Sequence, residues 1–129
     1  MLIKYVIDSW AWIEYLDGTE KGEKVKEILE NVANQIFTSF IVLTEVVSIA
    51  KRRNKDYKTI SDTILSLSKI FYDDSQFLIA AGLIHAEMRG KIRDFGLADA
   101  FVLATAKKLD AKILTGDPHF KNIKEAVMI

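Results

Sequence analysis

Short apolar runs that alternate with helix-type patterns constrain the fold of this chain more than any other feature. The first run, residues 2–7, is almost continuously apolar and rich in β-branched residues, which is typical of a strand covered on both faces. Four further runs predict strands in the same way. They cover residues 36–38, 70–72, 112–115 and 126–128.

The segments between these runs have the spacing of amphipathic helices. Residues 98–106 are apolar almost all round, which predicts a helix buried against a sheet. Strands that alternate with helices predict a parallel sheet with helices on both faces, in which functional residues collect outside the carboxyl ends of the strands. The other helical stripes are Val25, Ile28, Leu29 and Val32; Ile60, Ile64 and Leu67; and Phe77, Ala81, Ile84 and Met88.

Size and composition predict a single domain over residues 1–129 that folds alone in the cytoplasm. The chain has no cysteine and therefore no disulfide framework, which suits a reducing compartment. Its first apolar run is too short for a signal peptide or a membrane span, so we expect no membrane association. Eighteen basic residues balance eighteen acidic ones, so a polyanion would have to be attracted by local basic patches.

Four acidic residues stand at predicted strand ends or helix starts. Asp8 directly follows the first strand, and Asp117 follows the strand at 112–115. Glu45 and Asp99 are isolated acids in apolar helical segments, where burial is costly unless the carboxylate is paired or bound to a cation. This architecture would bring all four to one edge of the sheet.

Each acid also has an ordinary structural interpretation. Asp8 could cap a helix, Glu45 could favour a helix dipole in water, and Asp117 could belong to a Gly-Asp-Pro turn. Asp99 could be a common first-turn aspartate. Their convergence favours function, because four ionised carboxylates in one pocket need raised pKa values or a compensating cation. Oxygen ligands of this kind select Mg²⁺ or Mn²⁺, which can activate water for phosphodiester cleavage.

Motifs for other catalytic mechanisms are missing from the sequence. It contains no cysteine nucleophile, no nucleophile elbow and no phosphate-binding P-loop. His85 and His119 do not form a zinc-binding H-E-x-x-H pattern, which argues against catalytic zinc. We expect His85 on a helix surface and His119 in a loop near the acids.

Four segments together resemble the PIN domain, and within it the toxin ribonucleases of VapBC-type toxin–antitoxin pairs. The resemblance spans the whole chain and implies a three-layer α/β/α fold with a five-stranded parallel sheet. It also implies Mg²⁺- or Mn²⁺-supported cleavage of single-stranded RNA, a VapB-type antitoxin as partner and a homodimer. The segments are Val6-Ile7-Asp8-Ser9, Thr44-Glu45-Val46, Gly96-Leu97-Ala98-Asp99-Ala100 and Leu114-Thr115-Gly116-Asp117-Pro118-His119-Phe120.

The resemblance assigns roles by motif position. It implies that Asp8, Glu45, Asp99 and Asp117 are the catalytic and metal-binding residues, with Ser9 and Thr115 in support. Trp10 departs from the small polar residue common in the family, and could line the RNA groove or simply pack. Asp94 adds an acid whose role the motif does not define.

Three other functions compete with this one. A phosphoacceptor receiver domain needs paired acids after the first strand, whereas Asp8 is unpaired. A haloacid-dehalogenase-type phosphatase needs a second aspartate where Trp10 stands. A non-catalytic PIN-like module that binds RNA or protein remains open, although the complete set of four acids favours catalysis.

Overall fold

The structure, a computed structural model, describes residues 2–129. Strands and helices alternate along the chain, as predicted. Among these residues, no helix is long and apolar enough to cross a lipid bilayer. In chain order the elements are β1 (Ile3–Ile7), α1 (Ser9–Asp17), α2 (Glu20–Glu30), β2 (Asn34–Ser39), α3 (Phe40–Arg52), α4 (Tyr57–Leu67), β3 (Lys69–Phe71), α5 (Ser75–Arg89), α6 (Leu97–Leu109), β4 (Lys112–Thr115), a 3₁₀ turn (Pro118–Phe120) and β5 (Ala126–Met128).

The strands form one parallel sheet with the order β3-β2-β1-β4-β5. The chain adds β2 and β3 on one side of β1, and then crosses to add β4 and β5 on the other side. The strand order therefore reverses between β1 and β4. In open parallel sheets, the crevice outside the carboxyl ends at such a reversal is where ligands bind.

Two adjacent residues of β2 show that helices cover both faces of the sheet. Neighbouring side chains in a strand point to opposite faces. Thr38 accepts a hydrogen bond from the indole of Trp12 in α1, at 3.0 Å, whereas Ser39 accepts one from Thr105 in α6, also at 3.0 Å. Helices α1 and α6 thus lie on opposite faces, and the predicted α/β/α layering is confirmed.

The core lies around the two central strands, where Val6, Ile7, Ile113 and Leu114 are fully buried. These runs are apolar at consecutive positions because both faces of the central strands are covered. The prediction that Val32 packs against the core was wrong. Val32 is 99% exposed, because α2 already ends at Glu30 and the stripe does not reach it.

Candidate functional site

Asp8 lies at the carboxyl end of β1, and both oxygens of its carboxylate are bound by the protein. Oδ1 accepts the backbone N–H of Ala11 at 2.9 Å, which caps α1, and Oδ2 accepts the hydroxyl of Thr115 at the end of β4. The side chain is buried, with 4% exposed. Burial raises the pKa of Asp8 to about 7, and the nearby charges of Asp117 and Asp99 add to this rise, against the lowering effect of the two hydrogen bonds.

Thr115 connects Asp8 to Asp117. Its hydroxyl donates to Asp8 and accepts the backbone N–H of Asp117 at 2.9 Å. The Asp117 carboxylate in turn accepts the backbone N–H of His119 at 2.9 Å, which begins the 3₁₀ turn. A single threonine therefore ties the ends of β1 and β4 to the segment that carries Asp117.

Asp99 reaches the same crevice from the first turn of α6. Its Oδ2 accepts the backbone N–H of Gly96 at 2.9 Å and lies 3.1 Å from Nδ1 of His119. The same imidazole nitrogen lies 3.6 Å from Oδ1 of Asp117. Asp99, Asp117 and His119 each offer one ligand atom, and these atoms lie within 4.8 Å of one another.

Glu45 approaches the cluster from α3 and is half-buried. Burial raises its pKa, and the negative charge of Asp99 raises it further, while the neighbouring Ser9 side chain opposes the rise. The effect of Asp99 on Glu45 shows that the two carboxylates lie close enough to interact. Ser9 follows Asp8 directly, so the predicted supporting residue lies between two of the acids.

The structure thus brings the four predicted acids, with Ser9 and Thr115, to the crevice between β1 and β4. His119 lies near the acids, as expected, but in a 3₁₀ turn rather than a loop, and its imidazole contacts Asp99. The one sequence signal for this contact is its place two residues after Asp117. Asp94 lies outside the cluster, with its carboxylate 76% exposed and 3.9 Å from Arg93.

The local interpretations of the aspartates also hold, since Asp8 and Asp117 cap helical turns and Asp99 accepts the N–H of Gly96. In Asp99 and Asp117, capping occupies only one of the two carboxylate oxygens. Within residues 2–129, Oδ1 of Asp99 and Oδ2 of Asp117 accept no hydrogen bond. These two oxygens and the buried Asp8 form an oxygen-rich donor set that fits a hard divalent cation such as Mg²⁺ or Mn²⁺.

Comparison with protein families identifies the chain. A family model described as the PIN domain matches residues 5–126. The chain belongs to the PIN domain family. The match includes all four acids, the whole of β2, β3 and β4, most of β1 and the first residue of β5, in agreement with the resemblance seen in the sequence. Comparison with curated proteins finds no match.

Several solved structures share the fold of this PIN domain. A toxin–antitoxin complex from Klebsiella pneumoniae contains a chain that is 23% identical, with a TM-score of 0.75 and 96% of both chains covered. VapBC2 from Rickettsia felis, bound to a DNA fragment from its promoter, is 19% identical, with a TM-score of 0.74 and 98% of both chains covered. VapC20 from Mycobacterium tuberculosis, a sarcin–ricin-loop-cleaving toxin, is 17% identical, with a TM-score of 0.66 and 84% and 85% of the two chains covered.

Proposed function

We propose that this PIN domain is a metal-dependent endoribonuclease that cleaves the phosphodiester bonds of RNA. The observation that carries the proposal is the meeting of acids from β1, α3, α6 and the β4 end in one crevice. Unlike a set of surface acids, this one includes a buried carboxylate whose pKa is raised to about 7. Such clusters of perturbed carboxylates are typical of catalytic sites.

The acids fit a divalent cation, with Asp8, Asp99 and Asp117 as the inner donors and Glu45 beside them. When bound, Mg²⁺ or Mn²⁺ supplies a polarised water and offsets the charge that develops on the phosphodiester. The protein itself holds the acids in position. Thr115 holds Asp8 and the backbone of Asp117 in one arrangement, so that these groups need no reorganisation when substrate arrives.

His119 and Ser9 support the acids in this proposal. The imidazole of His119, 3.1 Å from Asp99, orients that carboxylate across the gap between α6 and the 3₁₀ turn. The Ser9 side chain favours the ionised form of Glu45. His119 therefore helps to position Asp99, and Ser9 helps to keep Glu45 charged for a cation.

We further propose that the protein is the toxin of a toxin–antitoxin pair, acts in the cytoplasm on single-stranded or structured RNA, and forms a homodimer. The similar structures include a toxin–antitoxin complex, VapBC2 and an RNA-cleaving toxin, which supports a VapB-type antitoxin as partner. The absence of cysteine suits the cytoplasm.

One basic segment is suitably placed to meet RNA. Arg93 is 95% exposed and precedes Phe95, whose ring packs beside that of His119. Arg93 pairs only loosely with the exposed Asp94, at 3.9 Å, whereas Arg53 and Lys55, just after α3, pair at 3.5 and 3.1 Å with the less exposed Asp17. The segment before α6 is therefore the better candidate for phosphate contacts near the acids.

The test is cleavage of a labelled single-stranded RNA in Mg²⁺, in Mn²⁺ and in EDTA. We expect cleavage that requires metal and is lost in Asp8→Asn and Asp99→Asn, by at least about a hundredfold if each acid contributes like other charge-stabilising groups. Asp94→Asn is the matched control, because Asp94 is an exposed acid outside the cluster and asparagine also tolerates its left-handed backbone. All variants are purified identically.

RNA that stays intact in every metal, while the wild type still binds it, would overturn the catalytic proposal in favour of a PIN-like binding module. Cleavage that survives in both cluster variants would instead point to a contaminating nuclease.

A further inference from the structure

Trp10 lies directly against the backbone beside the acidic cluster. It is the second residue of α1, two positions after Asp8. A Cβ atom added at Gly116 would come within 2.3–2.6 Å of three atoms of the indole ring, far inside any real contact. The backbone angle φ of Gly116 is not in the left-handed region, so it is the indole that requires glycine here.

This contact places the aromatic ring next to the groups proposed to act on the phosphodiester. Gly116 joins Thr115, which holds Asp8, to Asp117. If a phosphodiester is held at these acids, the indole is within reach of a nucleoside next to it.

A positively charged side chain lies beside the ring. The ammonium group of Lys21, in the first turn of α2, lies 5.5 Å from the centre of the Trp10 ring. Lys21 is exposed, so its charge is accessible to a phosphate group. An aromatic face beside a positive charge is the combination with which proteins bind single-stranded nucleic acid.

Comparison with Trp12 shows that Trp10 is not a typical core tryptophan. Trp12 is fully buried, and its indole N–H donates to Thr38. Trp10 is only partly buried, and its N–H has no hydrogen-bond acceptor within residues 2–129. Buried tryptophans normally satisfy this donor, whereas the N–H of Trp10 stays available and its ring packs only partly against the core.

We propose that Trp10 stacks against the nucleobase next to the cleaved phosphate and so determines which nucleotides this site accepts. Gly116 supports the indole ring, and Lys21 supplies the positive charge beside it. The inference rests on the proposed ribonuclease function. Stacking is tolerant of base identity but stronger for larger rings, so a preference for a purine at this position follows.

The test uses tryptophan fluorescence with a short single-stranded RNA of mixed sequence in Mg²⁺, with every variant made on the Asp99→Asn background, where the proposed cleavage is off and the cation still offsets the remaining acids. Because Trp12 is buried, we expect RNA to quench the fluorescence of Trp10. Trp10→Leu should weaken binding about tenfold or more, while Trp10→Phe should keep most of the affinity and lose the quenching. Lys21→Gln should reduce binding less, and mainly at low salt.

Tyr57→Leu is the matched control. Tyr57 is also an exposed aromatic residue beside a lysine, with Lys51 at 5.8 Å. Lys51 lies in the last turn of α3, about 9 Å along the helix axis from Glu45, the acid that this helix carries. This variant should bind RNA like the wild type. A thermal unfolding curve for each variant separates lost folding from lost stacking, and Trp10→Phe covers the case in which Trp10→Leu fails to fold.

Unchanged fluorescence on RNA addition, or wild-type affinity in Trp10→Leu, overturns the Trp10 proposal. Failure of the ribonuclease function is distinguishable from this result. If RNA quenches Trp10 but no metal supports cleavage, stacking stands and the nuclease fails. If Trp10→Leu cleaves RNA with unchanged KM, the nuclease stands and stacking fails.

Discussion

Two aspartates of the cluster, Asp99 and Asp117, have two roles at once, because a carboxylate has two oxygens. Asp117 uses Oδ1 to cap the 3₁₀ turn, and Asp99 uses Oδ2 to hold Gly96 and His119. The other oxygen of each faces no donor within residues 2–129. Local capping and a shared site are therefore compatible, and capping fixes the direction in which each free oxygen points.

The raised pKa of Asp8 predicts how stability depends on pH in the absence of metal. The unfolded chain loses this proton near 3.8 and the folded protein near 7, so between these values the folded state binds more protons. The free energy of unfolding should then fall as pH rises from about 4 to about 8, by about 4 kcal/mol from this group. Denaturant unfolding of the wild type and of Asp8→Asn, in EDTA and across this pH range, measures the change in the free energy of unfolding.

The asparagine variant should lack this component, because its side chain does not titrate but can still accept the N–H of Ala11. Equal slopes of stability against pH in the two proteins would contradict the assignment to Asp8.

The hydroxyl of Thr115 predicts a difference between two conservative substitutions. Thr115→Val keeps the shape but removes the donor to Asp8 and the acceptor for the N–H of Asp117, and should cost about 1–3 kcal/mol of stability. It should also weaken Mg²⁺ binding at neutral pH, because the hydroxyl lowers the pKa of Asp8. Thr115→Ser should retain both properties. Calorimetric titration with Mg²⁺ and denaturant unfolding would show whether serine and valine differ.

Single residues show how far the sequence predicted the site. Glu45 and Asp99 could be recognised because each is a lone acid among apolar residues, where burial needs a physical reason. The contact of His119 with Asp99 could not, since it depends on how α6 meets the 3₁₀ turn rather than on local pattern. The contact between Trp10 and Gly116 could not be predicted either, because no feature of the sequence links the two residues.

At the scale of elements, all five predicted strands are confirmed, including the three-residue edge strands β3 and β5. The central strands were easiest to predict, because burial on both faces leaves a nearly continuous apolar run. Helix ends were less certain. The stripe through Val25 and Leu29 continued in sequence to Val32, but α2 stops at Glu30 and Val32 lies in the following loop.

The contact between α1 and the end of β4 predicts that Gly116 and Trp10 are energetically coupled. In Gly116→Ala the new methyl group must displace the indole, and we expect a loss of about 1–3 kcal/mol of stability. In a Trp10→Leu background, the same change should cost less, because the smaller side chain leaves room. A double-mutant cycle by denaturant unfolding measures the coupling. An equal cost in both backgrounds would show that the backbone, rather than the ring, requires glycine.

For the whole molecule, the sequence predicted a parallel sheet but not the order of its strands. Periodicity shows which segments are strands and which are helices, whereas the order β3-β2-β1-β4-β5 depends on long-range packing. That order matters for the site. It makes β1 and β4 neighbours, so that Asp8 and Asp117 meet across more than a hundred residues of chain, as the Thr115–Asp8 hydrogen bond shows.

The outer face of α5 predicts where two copies of the protein would meet. From Ser75 to Ala86 this helix has no charged residue, and Leu78, Ile79 and Leu83 are 49%, 55% and 68% exposed on the side opposite its buried residues. In a two-fold dimer a surface meets itself, so an uncharged stripe avoids like-charge repulsion. Gly82, with nothing within 4 Å of its added Cβ, would allow the helices to approach closely.

Leu83→Glu should therefore convert a dimer into a monomer, because it places two carboxylates opposite each other in an apolar contact. Val32→Glu is the matched control, since Val32 is an exposed apolar residue outside this stripe. Light scattering coupled to gel filtration gives the mass of each variant. A monomeric wild type, or a dimer that survives in Leu83→Glu, would show that α5 is not the contact. If only the mass changes in Leu83→Glu while RNA cleavage persists, the acidic crevice is complete within one subunit, as the contacts among its acids already indicate.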